Sequence, residues 1–284
     1  AFALAPWTQR ISYLQEGDWV VLSKDGADVR DAEGHSVQRE VKLTSASLGD
    51  ISKGNHRHFM LKEIHEQPLA IRDTLQAYLS PDHSEVALPG FELLESCRRV
   101  QIVACGTSFH AGMVARYWLE ELAGIPCQVE VASEFRYRKR VSRANTLLVT
   151  ISQSGETADS LAALRNAGHG EFVASLVVSN VDNSSLVRDS DLVFLTKAGM
   201  EIGVASTKAF TTQLVGLLLL TIALGRRNAM TEQKQQELMV ALQGLPEYVQ
   251  QTLELDGATG ARGAHGVLEL CAAAVRQKSY YTFF

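Results

Sequence analysis

From residue 98 onward the chain alternates short, continuously apolar runs with stretches of helical period, and this alternation limits the fold more than any other feature. VQIVAC is a short continuous apolar run of the kind expected of a strand buried on both faces, and CQVEVA, NTLLVTIS, FVASLVVSN and DLVFLT follow as further strands. Between them lie helix-patterned segments such as GTSFHAGMVARYWLEELAG and ADSLAALRNAG, and after them two long helical regions, from near Ala205 and from about Thr231 to Leu253. Strands alternating with helices imply βαβ units, and therefore an α/β class with a doubly wound parallel sheet flanked by helices.

The first part of the chain is patterned differently. YLQEGDWVVLS and ADVRDAEGHSVQREV are β-rich and punctuated by KDG and AEG turn signals, which predicts a small antiparallel β remnant ahead of the sheet. Residues 44–58 are polar and contain Gly and Ser, as in a linker. HFMLKEIHEQPLAIRDTLQAYL has helical spacing, with Pro68 expected to end or kink the helix. The boundaries drawn are 1–45 for the β remnant, 46–80 for the linker and its helix, 81–254 for the α/β domain and 255–284 for an atypical tail. From the start at Ala1 and the changed texture of the tail, a fragment is expected.

Net charge −5 and a pI of about 5.9 argue against nucleic acid as a partner, because neutralising phosphates in bulk needs a basic surface. Four scattered cysteines without a CxxC pair suit a reducing compartment, so a cytoplasmic location is expected. The longest apolar run, Val215 to Leu224, is about half of the ~20 residues a membrane span requires, and no membrane partner is expected.

In doubly wound sheets ligands sit beyond the carboxyl ends of the strands. Two such ends are rich in hydroxyls. Cys105-Gly106-Thr107-Ser108 follows VQIVA, and Ser152-Gln153-Ser154-Gly155-Glu156-Thr157 follows TLLVTI. Each opens a helix, whose N-terminus offers free backbone N–H groups and about half a positive charge, a site for phosphate or carboxylate. Gly106 and Gly155 would let the backbone approach an anion, while Ser108, Ser152, Ser154, Thr157 and the Gln153 amide can donate to it. The blander reading is that Ser and Thr merely cap helices. The repetition of the pattern at two strand ends favours an anion site.

A third stretch, Gly199 to Lys208, joins the last strand to an apolar helix. Ser206 or Thr207 could be its N-cap, or the loop could fold over a ligand and offer the Ser206 hydroxyl to sugar oxygens. Lys208 is read as a helix-surface lysine in preference to a catalytic amine. His56, His58 and His65 are read as solvated. GxxxxGK[ST], GxGxxG and HExxH are lacking, so no nucleotide, cofactor or metal is expected.

Together ACGTS, SEFRYR (Ser133 to Arg138), SQSGETADS and EIGVASTKAFTTQ resemble the glutamine–fructose-6-phosphate aminotransferases (isomerizing), over roughly residues 10–253. The resemblance implies that the α/β domain is the first of two sugar isomerase (SIS) domains and that residues 1–45 close a glutaminase domain. It implies synthesis of glucosamine 6-phosphate from fructose 6-phosphate and glutamine. It places Ser108, Ser152, Gln153, Ser154 and Thr157 on the sugar phosphate and Thr107, Val204 and Ser206 near the sugar. It also implies a homodimer for the full-length protein. The family's glutaminase nucleophile and the acid–base residues of its second SIS domain have no match here, so no catalytic residue is expected within the chain, nor activity from it alone. A non-catalytic SIS sensor would carry the same cradle, but the strand-rich, weakly basic residues 11–43 do not suit a DNA-binding partner domain. A stand-alone sugar-phosphate isomerase would need neither the EIGVASTKAFTTQ block nor the β remnant.

Overall fold

The computed structural model describes residues 7–43, 52–80, 85–139, 141, 144–167 and 170–258. The chain divides into two compact units, Ala1–Asn55 and His56–Phe284. Nearly all of the atypical tail lies outside the described residues.

In the first unit, β1 (Arg10–Ser12) pairs antiparallel with β4 (Val41–Leu43). β2 (Trp19–Ser23) and β3 (Gly26–Arg30) form a hairpin whose two-residue loop is Lys24-Asp25, as the KDG signal predicts. Arg39 grips Asp18 through two hydrogen bonds of 2.8 and 2.7 Å, and these help hold the Asp18 carboxyl at about 2.

The second unit is the α/β domain. Its strands are β5 (Arg99–Ala104), β6 (Cys127–Val131), β7 (Thr146–Ser152), β8 (Ala174–Ser179) and β9 (Leu192–Leu195). They form one parallel sheet in the order β6-β5-β7-β8-β9. All seven residues of β7, the central strand, are buried. Alternate residues serve opposite cores. Leu147, Val149 and Ile151 join the larger cluster with Ile102, Leu176 and Val178, whereas Leu148 joins the smaller one with Val103 and Val177. With apolar groups needed on both faces, these strands read as continuous runs.

Four helices serve the larger core: α1 (Phe59–Tyr78), α2 (Gly106–Glu121), α6 (Lys208–Gly225) and α7 (Glu232–Ala258). The short α3 (Ala132–Phe135), α4 (Ala158–Asn166) and α5 (Ser185–Asp189) serve the smaller. α6 has a mean hydropathy of 1.5 over its 18 residues, yet 78% of them are buried in the protein, as in a central core helix.

The helix expected within residues 46–80 is α1, which falls in the second unit and packs on α6 and α7. Pro68, expected to end or kink it, does not end it, and the helix continues for ten residues to Tyr78. Proline removes the N–H that would reach the Ile64 carbonyl. The Gln67 side-chain amide donates to that carbonyl instead, at 3.0 Å.

Candidate functional site

The strand order reverses between β5 and β7: from β5 the chain moves outward to β6, then returns to β5's other side. Ligands of open α/β sheets bind at the carboxyl ends flanking such a reversal. Ala104 pairs with Ile151 as the last rung of the β5–β7 ladder, so Cys105–Ser108 and Ser152–Thr157 leave the sheet side by side. Sequence reading had found both turns but not their adjacency, which depends on strand order.

Within the second turn the Ser152 hydroxyl lies 2.9 Å from that of Thr157 and accepts the Gly155 N–H at 3.0 Å. Ser154 Oγ accepts the Glu156 N–H at 3.2 Å, which does not use its hydroxyl hydrogen. Thr157 occupies the N-cap of α4 without a side-chain capping bond, so the capping reading does not account for this hydroxyl. Ser152 is buried, Gln153 and Thr157 are half-buried and Ser154 is exposed, a gradient from the sheet edge toward solvent. In the neighbouring turn Ser108 is buried in the first turn of α2, while Thr107 is exposed. Gly106 and Gly155 have φ of 57° and 66°, left-handed conformations that favour glycine.

The loop from Ala198 to Thr207 is bound to the Ser152–Thr157 turn by a residue that sequence reading missed. Asn180, one position beyond β8, donates its backbone N–H to the Gln153 carbonyl at 3.2 Å. Its side-chain amide donates to the Gly199 carbonyl at 2.6 Å and its side-chain oxygen accepts the Ala198 N–H at 2.8 Å. The only signal in the sequence was its position, an amide immediately after a buried strand.

Thr207 is the N-cap of α6, but Glu201 supplies the capping acceptor. Its carboxylate accepts the backbone N–H groups of Thr207 and Ala209, at 2.9 and 3.1 Å, and the Ser206 hydroxyl at 3.1 Å. Val204 is fully exposed at the crest of the loop.

Lys208 requires a correction. Read as a surface lysine, it is 4% exposed, and its ammonium meets Glu66 Oε2 of α1 at 2.7 Å. A buried ammonium is costly without such a partner, and the partner lies 142 residues earlier in the chain. His58 and His65 are exposed, as expected, while His56 is half-buried and stacks on His65.

The SEFRYR block stands apart as bracing. Arg136 binds Asp159 of α4 at 2.7 Å, a hydrogen bond that raises the arginine's already high pKa. Arg138 takes both oxygens of Glu130 on β6 at 2.6 Å.

The parallel five-stranded sheet flanked by helices is a SIS fold, and residues 93–223 match the SIS domain family. The sequence similarity reaches further. The chain is 52% identical over 260 residues to the glutamine–fructose-6-phosphate aminotransferase (isomerizing) of Idiomarina loihiensis, and 55% identical over 258 residues to that of Pseudomonas putida. Each match covers 89% of this chain and 42% of the relative. Among solved structures, the C-terminal domain of glucosamine-fructose-6-phosphate aminotransferase from Francisella tularensis matches with a TM-score of 0.70 at 48% identity, covering 73% of this chain and 59% of that one. The chain belongs, as a segment spanning 42% of its curated relatives, to the glutamine–fructose-6-phosphate aminotransferase family.

Proposed function

We propose that this chain supplies the sugar-phosphate cradle of an enzyme that makes glucosamine 6-phosphate and glutamate from fructose 6-phosphate and glutamine. The observation that carries the reading is the adjacency of the two hydroxyl-lined turns at the β5–β7 reversal, each opening a helix. A phosphate there meets the N-terminal N–H groups of α2 and α4, and the hydroxyls of Ser108, Ser152, Ser154 and Thr157 with the Gln153 amide complete its shell. Thr107, Val204 and Ser206 flank the sugar. The chain's role is binding and orientation, and the acid–base groups that move the sugar's proton come from elsewhere in the full-length enzyme. That enzyme acts in the cytoplasm as a homodimer, without cofactor, metal, nucleic acid or membrane.

Calorimetric titration of the chain with fructose 6-phosphate tests this. Saturable binding is expected, with unphosphorylated fructose giving none and Ser154→Ala weakening the interaction about ten-fold, the scale of one hydrogen bond to a charged group. A folded chain that takes up no fructose 6-phosphate, or takes up fructose equally well, overturns the reading.

A further inference from the structure

α1 presents a row of polar side chains, Glu63, Glu66 and Gln67 at three- and four-residue spacing and Thr74 two turns further along the same face, and every one of them holds the segment running from β9 into α6. Thr74 donates to the Thr196 carbonyl, where the segment begins. Gln67 accepts the Thr211 hydroxyl, and Glu66 takes the Lys208 ammonium, where the segment becomes helix. Glu63 acts in the middle. Its Oε1 accepts the backbone N–H groups of Ile202 and Gly203, the latter at 2.9 Å, and its Oε2 lies 3.2 Å from the Gly203 nitrogen.

Glu63 is 2% exposed. Burying a carboxylate carries a large desolvation cost, and here two loop amides offset part of it. The fit is close: a Cβ on Gly203 would stand 2.5 Å from Glu63 Oε2. Immediately beyond those amides come Val204, fully exposed, and Ser206, turned onto Glu201. The carboxylate therefore fixes the backbone that leads into the loop's crest, while Asn180 fixes the loop's start against the Gln153 turn. None of the bonds within the Ser152–Thr157 turn passes through Glu63.

We propose that Glu63 is a positioning residue for sugar discrimination. By holding the Ile202 and Gly203 amides it sets the height of Val204 and Ser206 over the cradle, and thereby the fit of the sugar, while the phosphate is held independently. This rests on the cradle reading given above, and it separates two contributions that a purely structural carboxylate would not separate.

The test compares fructose 6-phosphate with inorganic phosphate as calorimetric ligands for the whole chain and its Glu63→Ala and Glu63→Gln variants. Wild type should prefer the sugar phosphate. Glu63→Ala should lose about ten-fold in affinity for fructose 6-phosphate, the scale of losing a charge-assisted hydrogen bond, with phosphate affinity held within about two-fold. Glu63→Gln, which keeps an acceptor at the Oε1 position, should fall between them, and it serves as the deciding variant if the alanine protein does not fold. Equal losses for both ligands in Glu63→Gln would make Glu63 merely structural and overturn the proposal. Unchanged affinities in a folded Glu63→Ala protein would overturn it as well and leave the cradle reading intact. A wild-type chain that binds neither ligand would overturn the cradle reading, and this proposal with it.

Discussion

The two glycines of the cradle share a backbone conformation but not an environment. Gly155 has φ of 66°, and a Cβ there would stand 1.9 Å from Ser184 Oγ and 2.4 Å from Ser184 Cβ. Gly106 has φ of 57°, and a Cβ there would meet nothing within 4 Å. Alanine at Gly106 should therefore cost only the left-handed backbone term, about 1 kcal/mol. Alanine at Gly155 adds a collision with a buried side chain and should cost about 2–4 kcal/mol in all. Urea denaturation of the two variants checks the ranking, and equal costs would mean that Ser184 moves aside freely. Ser184 is not free to do so without loss, since its hydroxyl donates to the Val181 carbonyl at 3.0 Å. The glycine in SQSGETADS thus serves a close approach between two turns as well as a special dihedral angle.

Among the elements, α1 shows how a local rule is overridden by tertiary structure. Proline inside a helix removes one backbone donor, and Gln67 restores a donor to the Ile64 carbonyl while its own oxygen accepts the Thr211 hydroxyl. Gln67→Met keeps the volume but removes both bonds, and should lower stability by about 1–2 kcal/mol, read as a shifted urea midpoint at unchanged slope. No shift would mean that water satisfies both groups. The same helix marks the limit of what the sequence discloses. The inner strands were legible because burial on both faces leaves them nearly continuous apolar runs, and the two turns because glycine and hydroxyls recur at strand ends. The partners of Glu63, Glu66 and Asn180 were not, because a glutamate inside a helix looks the same whether it faces solvent or a segment about 140 residues away, and an asparagine after a strand looks the same whether it faces solvent or a loop 18 residues on. Lys208 was misread for that reason: charge predicts exposure until a distant carboxylate compensates it. Glu201, ahead of α6 rather than at its N-cap, went unnoticed because capping is usually sought at the cap position itself.

At the scale of the whole molecule the two units differ sharply in what they bury. Among the described residues, every member of the two hydrophobic clusters lies at position 71 or later, so the α/β unit has a core of its own. The described residues of the first unit form two two-stranded sheets, with strands of three to five residues. Its β2 and β4 leave Leu22 and Leu43 each 79% exposed, with Trp19 and Val41 about half exposed. Two-stranded pairs are marginal in water without a third strand or a covering helix. Residues 56–284 alone should therefore unfold in one cooperative urea transition with the midpoint of the whole chain, because removing residues 1–55 takes nothing from either cluster. Residues 1–55 alone should show no cooperative transition and should bind a hydrophobic dye through the exposed leucines. A lowered midpoint for residues 56–284 would mean that the β unit stabilises the α/β unit directly. An unchanged midpoint would mean that the α/β unit, with the loop before α6 and the clasp from α1, is a self-sufficient folding module.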